Sequence, residues 1–398
     1  MRNFGAAVPP HGRSGRDSTK VVAGMHPGLT VKPGFWTGKR VFVTGHTGFK
    51  GGWLSLWLQK LGAVVTGYAL APVSRPNFFQ TARVVEGMSS HLGDICDLAS
   101  LEGSLRDSGA EIVFHLAAQA LVLQGYEQPL ETYRTNVMGT ATLLEAVRRV
   151  AAVKAVLVVT TDKCYDNREW YWGYRENEPL GGRDPYSSSK AAAELVTAAF
   201  RSSYFDGHTD GHANGARRVA VASARTGNVI GGGDWGENRL LSDMVRALSA
   251  GLPVQLRQPQ AIRPWQHVLD PLAGYLMLAE RLHEGIGDCA QAFNFGPAPD
   301  DARSVQWIAE RFTTLWGPAA SYQIDQRPRP HEANTLKLDS SKAFELLQWR
   351  ARLRLPDALA HVVDWHRAHL AQEEMRAVSL GQIEAYCTNP LPEPTATT

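Results

Sequence analysis

Hydrophobic and polar positions become periodic at Lys39 and stay so for most of the chain. Arg40-Val-Phe-Val-Thr44 is a short apolar run ending at glycine, as expected of a buried parallel strand. Trp53, Leu54, Leu56, Trp57, Leu58 and Leu61 recur at helical spacing, and Gly62 follows as a natural stop. Ala63-Val-Val-Thr-Gly-Tyr68 reads as the next strand, giving a strand–turn–helix–strand unit. The alternation continues with strands at 111–115, 155–159 and 218–224, and helices at Val137–Val150 and Ser187–Tyr204. This order predicts an α/β fold, a Rossmann-type doubly wound parallel sheet.

Beyond Gly231 the elements shorten, and residues 231–398 read as a smaller, mainly substrate-binding α/β domain with segments returning to the main sheet. Residues 36–230 then form the dinucleotide-binding domain. Residues 1–35 lack periodicity, are rich in Gly, Pro, His and Arg, and carry one acid, Asp17; they read as a disordered extension. Met25 is a candidate translation start, which N-terminal mass analysis decides. His208 and His212 fall in an Asp/Gly/His loop that reads as a solvated insertion rather than a metal site.

Composition narrows the partners. The 398 residues are 44% hydrophobic and 20% charged with a net charge of +2, so neither a nucleic-acid stripe nor a membrane span is expected. The four cysteines (Cys96, Cys164, Cys289, Cys387) are scattered without a CxxC pair, which fits reduced cytoplasmic thiols and no metal.

Gly45-His-Thr-Gly48-Phe-Lys-Gly51 lies between the first strand and its helix. Glycines there permit a tight turn and close approach of backbone to a pyrophosphate, and the helix N-terminus supplies free N–H groups. No acid stands at the end of the second strand, where Tyr68-Ala-Leu-Ala71 is found, and no arginine pair marks a 2′-phosphate, although Lys50 and Arg75 are near in sequence. Asp94, in Gly93-Asp-Ile95, is placed to hydrogen-bond an adenine. NAD is the expected cofactor.

Tyr186-Ser-Ser-Ser-Lys190 follows Pro185 at the start of a helix. Residues four apart share a helical face, so the phenol and ammonium converge on one ligand. A tyrosine acting as a base near neutrality needs a lowered pKa, and an adjacent cation is the expected means.

These motifs carry a resemblance. Thr44–Trp53, Leu116-Ala-Ala-Gln119, Thr132–Thr140, Thr160-Thr-Asp-Lys-Cys-Tyr165, Arg225–Trp235 and Arg263-Pro-Trp-Gln-His-Val268 make residues 36–370 resemble the extended short-chain dehydrogenases/reductases. Within that group the likeness is to the nucleotide-sugar 4,6-dehydratases that act on CDP-glucose. The resemblance implies a redox cycle in which Tyr186 accepts the C4 hydroxyl proton as NAD takes the C4 hydride. Water then leaves across C5–C6 and the hydride returns to C6. It implies that Thr161 orients the sugar, that Asp162 protonates the departing C6 hydroxyl, and that Lys163 either removes the C5 proton or orients water or substrate. Lys190 binds the nicotinamide ribose. Gly45, Thr47, Gly48, Phe49, Gly51, Asp94, Ile95, Leu116, Ala117 and Ala118 line the cofactor. Asn228, Arg239, Arg263 and His267 hold the nucleotide diphosphate end. Trp265 and His267 are open to a second reading as core residues. Asn136 is either structural or part of a proton path, and Trp170-Tyr-Trp172 with Tyr174 either covers the sugar or packs as a loop.

The chain departs from the family pattern at Leu123 and Gly125, where an arginine and a serine are more usual. The resemblance also implies a homodimer or homotetramer with the helices at 137–150 and 187–204 as its face. Two other functions remain open: a different epimerase or dehydratase, from which Asp162 separates this one, and a non-catalytic NAD(H) sensor, which has no need of Tyr186, Lys190 and Thr161.

Overall fold

A computed structural model describes residues 31–205, 218–286, 288–325 and 335–388. The first strand, β1 (Arg40–Thr44), is followed by the phosphate-loop helix (Phe49–Lys60) and β2 (Val64–Ala69). Next come β3 (Met88–Leu92), β4 (Ile112–His115), β5 (Ala155–Val159), the catalytic helix (Pro185–Phe200) and β6 (Ala220–Thr226). Further on lie β7 (Asn228–Ile230), β8 (Val254–Leu256), β9 (Ile262–His267), β10 (Ala292–Phe295), β11 (Ala302–Ser304) and β12 (Tyr322–Ile324).

Seven strands form one sheet in the order β10-β6-β5-β4-β1-β2-β3, every neighbouring pair parallel. The strand order reverses between β1 and β4, and open sheets of this kind bind ligands in the crevice beyond the strand ends at that point. β10, from the C-terminal half, pairs with β6 on the sheet edge. A three-stranded sheet β11-β9-β7 and the pair β12-β8 make up the rest.

The phosphate-loop helix begins at Phe49, four residues ahead of the predicted start, with Gly51 and Gly52 inside it. It is buried from Gly51 to Leu58, so those glycines serve close packing rather than breaking the helix. The helix predicted at 137–150 is Gly139–Arg149, entered through a widened turn at Arg134–Met138. The one predicted at 187–204 starts earlier, because the Asp184 side chain caps it by accepting from Ser187 N at 2.9 Å.

The disordered extension was expected to reach residue 35. Here residues 31–35 are already held: Lys32 N donates to Glu280 Oε1 at 2.9 Å, and the buried Trp36 indole donates to the same oxygen at 2.8 Å. The expectations for residues 1–30 and for His208 and His212 lie outside the described residues. No helix among the described residues is long and apolar enough to cross a membrane.

Candidate active site

The glycine loop forms a rigid cradle at the β1–β4 crevice. Gly45 has φ +75°, and a Cβ on it would sit 2.6 Å from Ala117 N. A Cβ on Gly51 would sit 2.1 Å from Gly45 O, so backbone meets backbone there. Gly48 precedes the helix with no side chain capping it, which leaves the amides of Phe49, Lys50 and Gly51 at the positive end of the helix. Thr47 Oγ1 donates to Leu70 O at 2.9 Å. Thr44 Oγ1 accepts from Leu116 N and Ala117 N at 3.2 Å each, fixing the loop that continues to Ala118. A narrow, glycine-lined pocket with unused amides suits the pyrophosphate of a dinucleotide.

The adenosine side departs in detail from expectation. Asp94 is engaged within the protein: its carboxylate accepts from Cys96 N at 2.9 Å and from Arg134 Nη2 at 2.6 Å. The bond from Cys96, with Arg134, holds its pKa below the usual carboxylate range. Ile95 is buried against Gly139. Tyr68 takes the place of the usual acid on β2, its hydroxyl donating to Asp94 O at 3.2 Å and Ser100 Oγ at 3.1 Å. Lys50 does not face this side at all; its ammonium donates to Thr226 Oγ1 at 3.0 Å, at the end of β6.

Tyr186 and Lys190 are both buried on the catalytic helix. Lys190 Nζ donates to Val159 O at 3.2 Å, at the end of β5. Burial lowers its pKa to about 8, against the pull of Glu194. The expected lowering at Tyr186 is not found. Burial pushes the phenol up to about 12, and the hydrogen bond to Thr161 and the charge of Arg239 oppose this.

Thr161 Oγ1 donates to Asp162 Oδ1 at 3.0 Å, while Asp162 Oδ2 is buried with no hydrogen-bond partner among the described residues. Burial raises the Asp162 pKa, with Lys163, Thr161 and Arg263 opposing. Lys163 follows on the same short turn, Asp162–Cys164, half-buried. Asn136 plays a structural part: it exchanges hydrogen bonds with the backbone of Gln119 and donates to Ser189 Oγ at 2.8 Å, fastening the β4 loop to the catalytic helix.

At the other wall, Arg239 Nη1 meets both oxygens of Asp234 at 2.9 Å. Arg263 is buried on β9 near Asp162, and its Nη1 donates to Ile262 O at 2.9 Å. Asn228 opens β7, opposite Trp265 in register. His267, placed at the nucleotide, and Trp265, left open between nucleotide and core, both turn inward. His267 is 0% exposed and packs on Trp53 and His361, so it offers no surface to a nucleotide. Trp265 sits in the same core with its indole on Arg303 O at 3.1 Å. The aromatic run divides: Trp170 stacks on Tyr174, centroids 5.5 Å apart, and Tyr174 on Tyr165, whereas Tyr171 and Trp172 are exposed. Leu123 is exposed, whereas Gly125 is buried against Tyr186, whose backbone N would lie 3.2 Å from an added Cβ.

Three features were missed in the sequence: the inward course of Lys50, its anchor Thr226, and Glu194 behind Lys190. Tyr186, Lys190 and Glu194 are spaced four apart, and that interval was the available signal for the third.

A phosphate cradle at the switch point of a parallel sheet, facing a Tyr–Lys pair one wall away, defines an extended short-chain dehydrogenase/reductase. Within that class the chain belongs to the 4,6-dehydratases, since the family model described as GDP-mannose 4,6 dehydratase matches residues 42–362. The CDP-glucose 4,6-dehydratase of Salmonella typhimurium is 51% identical over 357 residues, covering 89% of this chain and 98% of the relative. The solved structure of MoeE5 in complex with UDP-glucuronic acid and NAD is 27% identical, with a TM-score of 0.67 over 83% of this chain and 99% of that one. The dTDP-glucose 4,6-dehydratase of Bacillus anthracis in complex with NAD, 21% identical, shares the fold at a TM-score of 0.69, covering 85% and 99%.

Proposed function

We propose that this chain converts CDP-D-glucose into CDP-4-keto-6-deoxy-D-glucose, using NAD as a resident cofactor that ends each cycle unchanged. The observation that carries this reading is Asp162: a buried carboxyl with one oxygen unpartnered, bonded to Thr161, in the same pocket as Tyr186. An epimerase needs no acid for a leaving hydroxyl. The choice of CDP-glucose rests on the Salmonella relative.

Bound NAD would supply the hydride acceptor for C4 and the hydride for C6. Tyr186 Oη takes the proton of the C4 hydroxyl as the C4–H bond breaks. Thr161 orients that hydroxyl. The resulting ketone acidifies C5–H; Lys163 is the candidate to receive that proton, and Asp162 protonates the leaving C6 oxygen so that it departs as water. A proton returns to C5 when C6 is reduced, and the net change is the loss of one water. Lys190 holds the nicotinamide ribose, and Asn228, Arg239 and Arg263 take the diphosphate end, where planar guanidinium groups suit phosphate.

A homodimer is proposed through helices Gly139–Arg149 and Pro185–Phe200, supported by exposed Met138, Leu195 and Tyr204 along that face. A cytoplasmic location is supported by four free cysteines. The deciding experiment incubates the protein with NAD and CDP-, dTDP-, GDP- or UDP-glucose separately and follows sugar mass. Loss of one water from CDP-glucose alone establishes the reading. An isobaric product marks an epimerase, and no product despite cofactor binding marks a sensor.

A further inference from the structure

The catalytic helix grips the end of β5 at intervals of one turn. Tyr186 is hydrogen-bonded to Thr161, Lys190 Nζ donates to Val159 O, and Glu194 Oε1 accepts from Thr160 Oγ1. Residues four apart share a helical face, so one face of the helix meets successive residues of the strand end. Glu194 is the innermost of these contacts, and its hydrogen-bond partners are Thr160, Ser223 and Arg225.

Arg225 carries the grip to the far end of the same turn. Its Nη1 donates to Tyr165 Oη, and its guanidinium lies 5.0 Å from the centre of the Tyr165 ring. Thr160 and Tyr165 flank the residues Thr161 to Cys164, so both ends of that turn are fastened to one buried ion pair. Each end has a second tie, Thr160 N to Ala224 O at 2.8 Å and Tyr165 Oη to Asn294 Oδ1 at 2.7 Å. The turn has little hold of its own. Cys164 N reaches Thr161 O at 3.3 Å and Tyr165 N reaches Asp162 O at 3.4 Å, both long for backbone bonds.

We propose that Glu194 and Arg225 are positioning residues whose ion pair clamps both ends of the turn and so sets Thr161 and Asp162 against Tyr186. This rests on the reading of Thr161 and Asp162 as groups that meet the sugar. A carboxylate suits the task because one oxygen takes the strand-end hydroxyl while the other keeps the guanidinium. Bonds to charged partners are stronger than neutral ones and resist displacement of the turn.

The test releases the turn without breaking the ion pair. Thr160→Val frees one end and leaves Glu194 bonded to Ser223 and Arg225; Tyr165→Phe frees the other and leaves Arg225 bonded to Glu194 and Glu176 O. Each should lower kcat for CDP-glucose about ten- to a hundredfold, with KM and the NAD dissociation constant within about twofold of wild type. Thr160→Ser keeps the hydroxyl and should restore kcat. Thermal melts taken on the same samples give the folded fraction. Wild-type kcat per folded Thr160→Val protein, whatever its stability, would overturn the proposal, as would Thr160→Ser behaving like Thr160→Val. Should Tyr165→Phe fail to fold, the two Thr160 variants decide. Asp162→Asn turning over like wild type sinks the reading of the turn as catalytic, and the proposal with it; a slow Asp162→Asn beside a normal Thr160→Val overturns the clamp alone.

Discussion

Arg225 Nη2 donates to Glu194 Oε2 at 2.8 Å in a buried ion pair one helical turn beyond Lys190. Glu194 also accepts from Ser223 Oγ at 2.6 Å and from Thr160, and Arg225 Nη1 donates to Tyr165 Oη at 2.8 Å. Burial pushes the Glu194 carboxyl up, but Arg225 and these hydrogen bonds hold it below its ordinary value. Removing one partner leaves the other charge buried alone, so Glu194→Gln should cost about 3–5 kcal/mol of stability by chemical denaturation. It should also move the alkaline limb of activity to lower pH, because Glu194 is the group that raises the Lys190 pKa.

Tyr186 and Asp162 should fail at different points. Tyr186→Phe should reduce turnover about a hundred- to ten-thousandfold while NAD binding by titration stays intact. Asp162→Asn should still oxidise C4 and stall before water leaves. In a single turnover, NADH absorbance should then rise and persist, with no sugar 18 mass units lighter (about one water).

The pH dependence of Lys190 can be assigned a sign. Its folded pKa of about 8 lies below the ordinary 10.5, so the unfolded chain binds the extra proton between those values and stability rises with pH there. On the proposed role of the ammonium in holding the ribose, kcat/KM should fall as pH rises through about 8. Subtracting the pH profile of Lys190→Met from that of wild type isolates this group: the stability difference should move towards wild type across the window as activity declines. A flat difference would remove Lys190 from the assignment.

Two glycine substitutions should behave oppositely. Gly51→Ala drives a Cβ into Gly45 O, and a displaced cradle should weaken NAD binding roughly a hundredfold or more. Gly381, in the helix Met375–Thr388, meets nothing within 4 Å of an added Cβ. Gly381→Ala should raise stability by about 0.5–1 kcal/mol, with activity unchanged.

The buried parallel strands were legible almost to the residue. Val41-Phe-Val43 within the first strand and Ala155–Val159 are unbroken apolar runs because helices cover both faces. β3 is harder to read, since Met-Ser-Ser-His-Leu is an edge strand exposed along much of its length. Tyr186 and Lys190 stood out by their spacing of four, and Thr161 and Asp162 by the family resemblance of their short segment; the structure brings the two segments together. His267 was misread because its partners, Trp53 and His361, are far away in sequence, and only the folded chain shows that β9 is buried almost throughout. Lys50 escaped for a related reason: its position on the loop is local, but the direction of a long side chain is set by Thr226, 176 residues on.

His46 fills the space over Gly67 on β2, where an added Cβ would lie 2.4 Å from the imidazole Cγ, and its Nε2 pairs with Ser90 Oγ of β3 at 2.7 Å. The loop and the second strand can therefore change only in order. A larger residue at position 67 is blocked while the imidazole stands there, and becomes tolerable only after position 46 has shrunk. The two sites form an epistatic pair, with effects that will not add, and the present loop conformation is retained by steric history as well as by the ligand it serves.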